Sequence, residues 1–182
     1  KALDAIRRHS KRQPVETLSL DGAAGRVLAR DVRADRDMPP ADRSAMDGYA
    51  VRAADLAEVP RELHLAGEVA AGSDSRPRVR SGCCVRILTG ANIPPGADAV
   101  AVVESTTEVA SDIIEFRSPV AKGANIFRRG ENARKGEVVL TKGTRLDPQR
   151  IGLCAAIGKD PVPVYEQPRV GGRGARIAFV HP

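Results

Sequence analysis

The chain has no tryptophan, and aromatic residues make up only 3% of its 182 positions. Proteins that hold single-stranded nucleic acid stack bases on aromatic rings, so this composition argues against a nucleic-acid partner. Any core must instead be packed from Val, Ile, Leu and Ala. Of the three histidines, His9, His64 and His181, none stands at a metal-ligating spacing such as HxxxH. There is no GxSxG elbow and no Walker loop, so a self-contained catalytic triad or nucleotide cradle is not in view. The three cysteines, Cys83, Cys84 and Cys154, are odd in number and form no CxxC pair. They read as small buried core residues in a reducing, cytoplasmic compartment. No apolar run approaches the ~18 residues of a membrane span. Lys1 to Arg8 lack the apolar core of a signal peptide, so no membrane partner is expected.

What the chain does have is 17 glycines and 13 prolines, which imply many turns and short elements. Residues 1–9 read as the end of a short helix, with Leu3 and Ile6 on one face. Strands are expected at Val27–Val32, Leu63–Val69, Cys83–Leu88, Ala99–Val103, Ile113–Phe116 and Val138–Leu140. One helix is well signalled, with Asp147 as N-cap, Pro148 at its first position and Gly158 as its stop. Pro161, Pro163 and Pro168 then break regular structure toward the tail. The resulting fold class is mostly β with short helices (α+β), arranged as two intertwined β-rich subdomains. Residues 1–45 plus 140–168 form the flanking one, and 46–139 form the inserted one. Residues 169–182 are a glycine-rich tail.

The formal charge of +6 draws anions of any kind. Three segments are candidates for chemistry. In Ser44-Ala45-Met46-Asp47-Gly48-Tyr49-Ala50, two short polar residues lie within one turn of each other, before a glycine that permits close backbone approach. That segment can equally be a capped turn in which Asp47 bonds local amides. Thr89-Gly90-Ala91 ends a strand, where a hydroxyl and free amides can hold an oxyanion, and Arg76, Arg78, Arg80 and Arg86 lie just upstream. From 122 to 136 there are five Lys/Arg against one Glu, including the pair Arg128-Arg129 beside Gly130. Paired arginines suit bidentate recognition of phosphate or another oxyanion, although a basic run can also be a solvated face.

Read in order, several segments resemble the molybdopterin molybdenumtransferase family, which includes the bacterial MoeA proteins and the E domain of gephyrin. The matching pieces are Gly25 to Ala29, Pro39-Pro40, Ser44 to Val51, Arg86 to Ala91, Pro95 to Val100, Glu104, Arg128 to Glu131, and Gly143 to Leu146. They run from about residue 2 to about residue 170. The resemblance implies a reaction in which molybdate is inserted into adenylylated molybdopterin and AMP is released, with Mg2+ assisting. By residue match, Asp47 and Thr89 would be catalytic. Ser44, Arg128, Arg129 and Glu104 would contact the anionic substrate. Asp47 would also be the metal ligand, although one carboxylate cannot make a site alone. A homodimer is implied as well.

The chain departs from the family at two places. Asn132 stands where the family has an acidic residue after the Arg-Gly-Glu run. The family also continues into an α/β catalytic domain, whereas here the sequence runs Gly171 to Pro182. The expectation is therefore a front region that is inactive alone and supplies half of a site. The alternative is a stand-alone binding or dimerisation module that partners a separate catalytic domain in trans.

Overall fold

The computed structural model describes Asp4, residues 12–73 and residues 75–168. Of the helix expected over residues 1–9 only Asp4 is described, and it is helical; the rest of that stretch and the tail 169–182 lie outside the described residues, as do His9 and His181. In chain order the strands are β1 (Val15–Leu18), β2 (Val32–Arg33), β3 (Arg43–Ser44), β4 (Gly48–Val51), β5 (Arg61–Val69) and β6 (Cys83–Ile87). There follow β7 (Ala99–Val102), β8 (Thr106–Ala110), β9 (Ile113–Phe116), β10 (Ile126–Phe127), β11 (Val138–Leu140) and β12 (Val162–Tyr165). The α-helix α1 spans Pro148–Ala156, and short 3-10 turns are present as well. The chain is thus mostly β, as its composition and turn density imply.

Two compact units emerge. One combines the described residues up to Asp35 with those from Gly136 onward, and the other is Arg36–Lys135. The first boundary expected from the sequence, 45/46, lies ten residues further along the chain. Residues 36–45 belong with the inserted unit because they bond to its far end. Met38 N–H donates to the Ala133 carbonyl at 2.8 Å and Gly130 N–H to the Pro39 carbonyl at 2.9 Å.

The flanking unit holds two small antiparallel sheets, β1 with β12 and β2 with β11. The continuous strand expected over Val27–Val32 is not formed. Val27 bridges to Arg145 and Leu28 to Val164, and only Val32–Arg33 joins a sheet. The chain changes partner along this stretch, and its backbone donors are satisfied one at a time. Proline does not break regular structure at Pro163, which lies inside β12 opposite Thr17. The Pro163 carbonyl accepts Ala29 N–H at 3.0 Å, but with no N–H of its own it cannot return that bond, so pairing on that side stops there. Helix α1 starts as its signals require. The Asp147 carboxylate accepts Arg150 N–H at 2.9 Å, and Gly158 takes a positive φ of 69°.

The inserted unit is built on a six-stranded sheet in the order β7-β4-β6-β5-β9-β8. Only β5 and β6 run parallel, and every other neighbour is antiparallel. Strand β4 is buried along its whole length, so both faces of the sheet are covered there. Side chains alternate between two cores. Tyr49, Val51, Leu63, Cys84, Ile114 and Phe116 pack together. Ala50, Val85, Ile87, Val100 and Ile126 form the other cluster. Two of the five aromatics meet here, with the Tyr49 and Phe116 rings edge to face at 5.7 Å.

Glycine at position 48 is demanded by packing. A Cβ there would lie 2.0 Å from the Ala101 carbonyl oxygen and 3.1 Å from the Val102 Cα. Pairing of β4 with β7 at that register therefore admits no side chain, and this anchors the residue that follows Asp47.

Candidate functional site

The site is assembled from three stretches of the inserted unit that meet around a turn, Ser44 to Asp47. Ser44 N–H donates to the Ala91 carbonyl at 2.9 Å, and the Ser44 carbonyl accepts Gly90 N–H at 2.8 Å. Ala45 N–H reaches the Asn125 carbonyl at 2.9 Å, while β3 pairs with β10 through Ile126↔Ser44 and Phe127↔Arg43. The turn is thus tied on one side to the end of β6 and on the other to the strand that leads into Arg128.

Asp47 and Thr89 are brought into direct contact. One Asp47 carboxylate oxygen, Oδ1, accepts both the Thr89 amide and the Thr89 hydroxyl, each at 2.7 Å. The other oxygen, Oδ2, takes no hydrogen bond among the described residues. The Thr89 hydroxyl, and next its amide, hold the Asp47 carboxyl below the usual carboxylate range, with a smaller contribution from the Arg86 guanidinium. Asp47 is an exposed, ionised carboxylate with one oxygen held by Thr89.

Ser44 sits differently. It is fully buried, and its hydroxyl donates to the Met46 carbonyl at 2.6 Å. The structure keeps that hydroxyl inside its own turn. Glu104 is exposed, in the 3-10 turn Val103–Ser105, where Val103 N–H donates to the Asp47 carbonyl at 3.2 Å. The link from this turn to Asp47 is the backbone bond of Val103, the residue before Glu104.

The expectation of free amides at Thr89-Gly90-Ala91 is corrected by the structure. The three N–H groups go to Asp47 Oδ1, the Ser44 carbonyl and the Leu88 carbonyl respectively. No donor is left there for an oxyanion, because the turn spends its amides on holding the Ser44–Asp47 segment in place.

Arg128 and Arg129 are exposed and paired with acids that reading the basic run alone did not assign to them. Arg128 Nη1 bonds Asp42 Oδ2 at 2.8 Å, and Arg129 Nε bonds Asp37 Oδ2 at 2.6 Å. The backbone joins in. Arg129 N–H donates to Asp42 Oδ1 at 2.8 Å, Lys135 N–H to Asp37 Oδ1 at 2.9 Å, and Arg128 N–H to Glu131 Oε2 at 2.7 Å. Backbone donation from Lys135 holds the Asp37 carboxyl below its ordinary value, and donation from Arg129 does the same for Asp42. Asn132 is exposed, and its N–H donates to the Met38 carbonyl at 2.9 Å. These acids carry a sequence signal only in retrospect, since they lie between β2 and β3, far along the chain from the basic segment.

No group of three or more His, Cys, Asp or Glu suited to a metal exists among the described residues. Asp47 Oδ2 is a single hard oxygen donor. That suits Mg2+ only where water and substrate phosphates complete the shell, which is the usual way this ion is held. No helix among the described residues is long and apolar enough to cross a membrane.

A two-faced sheet inserted into a flanking β unit, with an Asp-Thr clamp at the end of one strand, defines a front-region domain pair of a recognisable kind. The chain belongs to the family of the MoeA N-terminal region (domain I and II), which it matches over residues 1–158. It is 40% identical over 178 residues to the molybdopterin molybdenumtransferase of Bacillus subtilis, covering 92% of this chain and 41% of that protein. With the molybdopterin molybdenumtransferase of Haemophilus influenzae it shares 41% identity over 156 residues, or 86% of this chain and 38% of the relative. The crystal structure of the molybdopterin biosynthesis MoeA protein from Pyrococcus horikoshii OT3 superposes with a TM-score of 0.80 at 44% identity. That match covers 84% of this chain and 41% of that one. The chain therefore spans about two fifths of the length of these relatives.

Proposed function

We propose that this chain supplies one wall of a molybdopterin molybdenumtransferase site in molybdenum cofactor biosynthesis. The reaction would insert molybdate into adenylylated molybdopterin and release AMP. The observation that carries the reading is the Asp47–Thr89 clamp, in a chain of the MoeA N-terminal family. An ionised carboxylate with one oxygen fixed in advance is poised to receive a hard cation that a phosphate-bearing substrate brings with it. Mg2+ would supply charge neutralisation at the phosphate oxygens, with Asp47 Oδ2 as its protein ligand. Thr89 orients Asp47, Ser44 shapes the turn, and Arg128 and Arg129 contact the anionic substrate. Glu104 flanks the same backbone. The remaining groups would come from the part of the relatives' length that this chain does not cover, presented within a homodimer or in trans. Alone, the chain is expected to be inactive.

Two assays test the reading. Incubated alone with adenylylated molybdopterin, molybdate and Mg2+, the chain should release no AMP, and measurable turnover would overturn the half-site. Spliced in place of the corresponding front region of the Bacillus subtilis relative, it should restore AMP release. Asp47→Asn should then lower that rate by roughly a hundredfold, since it keeps an acceptor for Thr89 while removing the charge. An unchanged rate in the spliced Asp47→Asn protein would refute the role given to Asp47.

A further inference from the structure

Asp42 uses both carboxylate oxygens on one loop. Oδ1 takes the Arg129 amide and Oδ2 takes Arg128 Nη1, each at 2.8 Å. The Arg128 Nη2 lies close to Gly123, where an added Cβ would come within 2.8 Å of it. Asp37 repeats the pattern one step further along, with Oδ2 on Arg129 Nε and Oδ1 on the Lys135 amide. Each guanidinium therefore gives one donor to a carboxylate. Arg129 keeps both terminal nitrogens without a partner among the described residues. A guanidinium has five N–H donors in a fixed fork, so fixing one edge aims the others.

We infer that Asp42, seconded by Asp37, is a positioning residue that aims the free edges of Arg128 and Arg129 at a phosphate-class anion. The inference rests on the reading above that these arginines face an anionic substrate. It also makes a claim opposite in sign to simple electrostatics. Two acids beside two arginines lower the local positive potential, so if charge alone mattered, removing an acid would tighten anion binding. If positioning governs, removing it loosens binding, because the arginines must then be ordered at the expense of affinity.

The experiment is a calorimetric titration of inorganic pyrophosphate into the full chain at low salt, with Asp42→Asn and Asp42→Glu beside the parent. Asp42→Asn should weaken binding at least about tenfold, the scale of one well-aimed charged hydrogen bond. Asp42→Glu keeps the charge but shifts both oxygens by a methylene, and it should also weaken binding. Hydrogen exchange at amides 128–135 should rise in both variants, while circular dichroism reports an intact fold. Tighter or unchanged binding in Asp42→Asn, with the parent binding normally, would overturn the inference and leave the function standing. A parent chain that takes up no pyrophosphate would overturn the anion-contact reading of Arg128 and Arg129, and the inference with it. Were Asp42→Asn to unfold, equal affinity in Asp42→Glu and the parent would still refute positioning.

Discussion

Changing Gly48 to alanine should be among the most damaging single-methyl changes in the inserted unit, whereas the same change at Gly152 should help. At Gly48 the added Cβ would sit 2.0 Å from the Ala101 oxygen, well inside contact distance. The atom it meets is backbone of the paired strand β7, which cannot rotate away as a side chain would. Relief requires β4 and β7 to separate, which would weaken the four-residue pairing from Gly48↔Val102 to Val51↔Ala99. Overpacking of a well-filled core costs roughly 1–3 kcal/mol, and a clash with fixed backbone should fall at or above about 3. For a chain of this size, about 2–4 °C of melting temperature follows each kcal/mol, so Gly48→Ala should lower the midpoint by about 6–12 °C or more. Gly152 is an exposed position inside α1 with nothing within 4 Å of a Cβ. Gly152→Ala should stabilise by about 0.5–1 kcal/mol through helix propensity. Differential scanning calorimetry with urea titration reads both. A Gly48→Ala midpoint within about 2 °C of the parent would refute the argument that this register excludes a side chain.

Two further predictions concern titration and thiol chemistry. Asp37, Asp42 and Asp47 all have depressed folded values, so their stabilisation is fully present above the unfolded carboxylate value of about 3.9 and is lost as pH falls through the folded values. The urea midpoint should therefore change little from these groups between neutral pH and about pH 5, then fall below about pH 4, with a shallower acid limb in Asp37→Asn/Asp42→Asn; an unchanged acid limb would count against a stabilising role for the bonds of Asp37 and Asp42 to Arg128, Arg129 and Lys135. Burial pushes the Cys84 thiol up to about 12 and also raises that of the buried Cys154, whereas Cys83 is half-buried. Iodoacetamide at mildly alkaline pH should label Cys83 first in the folded chain, as peptide mass spectrometry would show, and early labelling of Cys84 would contradict its burial.

Local patterns carried much of the fold. Alternation over Leu63–Val69, the apolar run at Cys83–Leu88 and the Asp147-Pro148 start of α1 each depend on neighbours in the chain, and each formed within two residues of where the pattern placed it, as Arg61–Val69, Cys83–Ile87 and Pro148–Ala156. What depends on distant partners was less legible. Val27–Val32 has strand composition, but its partners Arg145, Val164 and Leu140 lie on different segments, which divides it. Pro163 is tolerated because pairing on one side can end at it, a fact of sheet position that composition does not carry. The site followed the same rule. Asp47 and Thr89 are 42 residues apart and were linked by family resemblance, whereas their hydrogen bonds were not readable from spacing. Counting charges from 122 to 136 gave an excess of cations, because the balancing carboxylates of Asp37 and Asp42 lie 86 to 92 residues upstream of their arginine partners.

The bond from Lys135 N–H to Asp37 Oδ1 joins the last residue of the inserted unit to the second. A domain whose two ends are held at one carboxylate resembles a cassette with a clasp. Residues 36–135 could be excised and their ends linked by a few residues, or circularly permuted with new termini in an exposed loop, without stretching the sheet. The same closeness of ends means that such a unit can enter or leave a host chain in one step while demanding little of the fold that carries it. The carboxylate of Asp37 thus closes the unit on itself as well as pairing with Arg129.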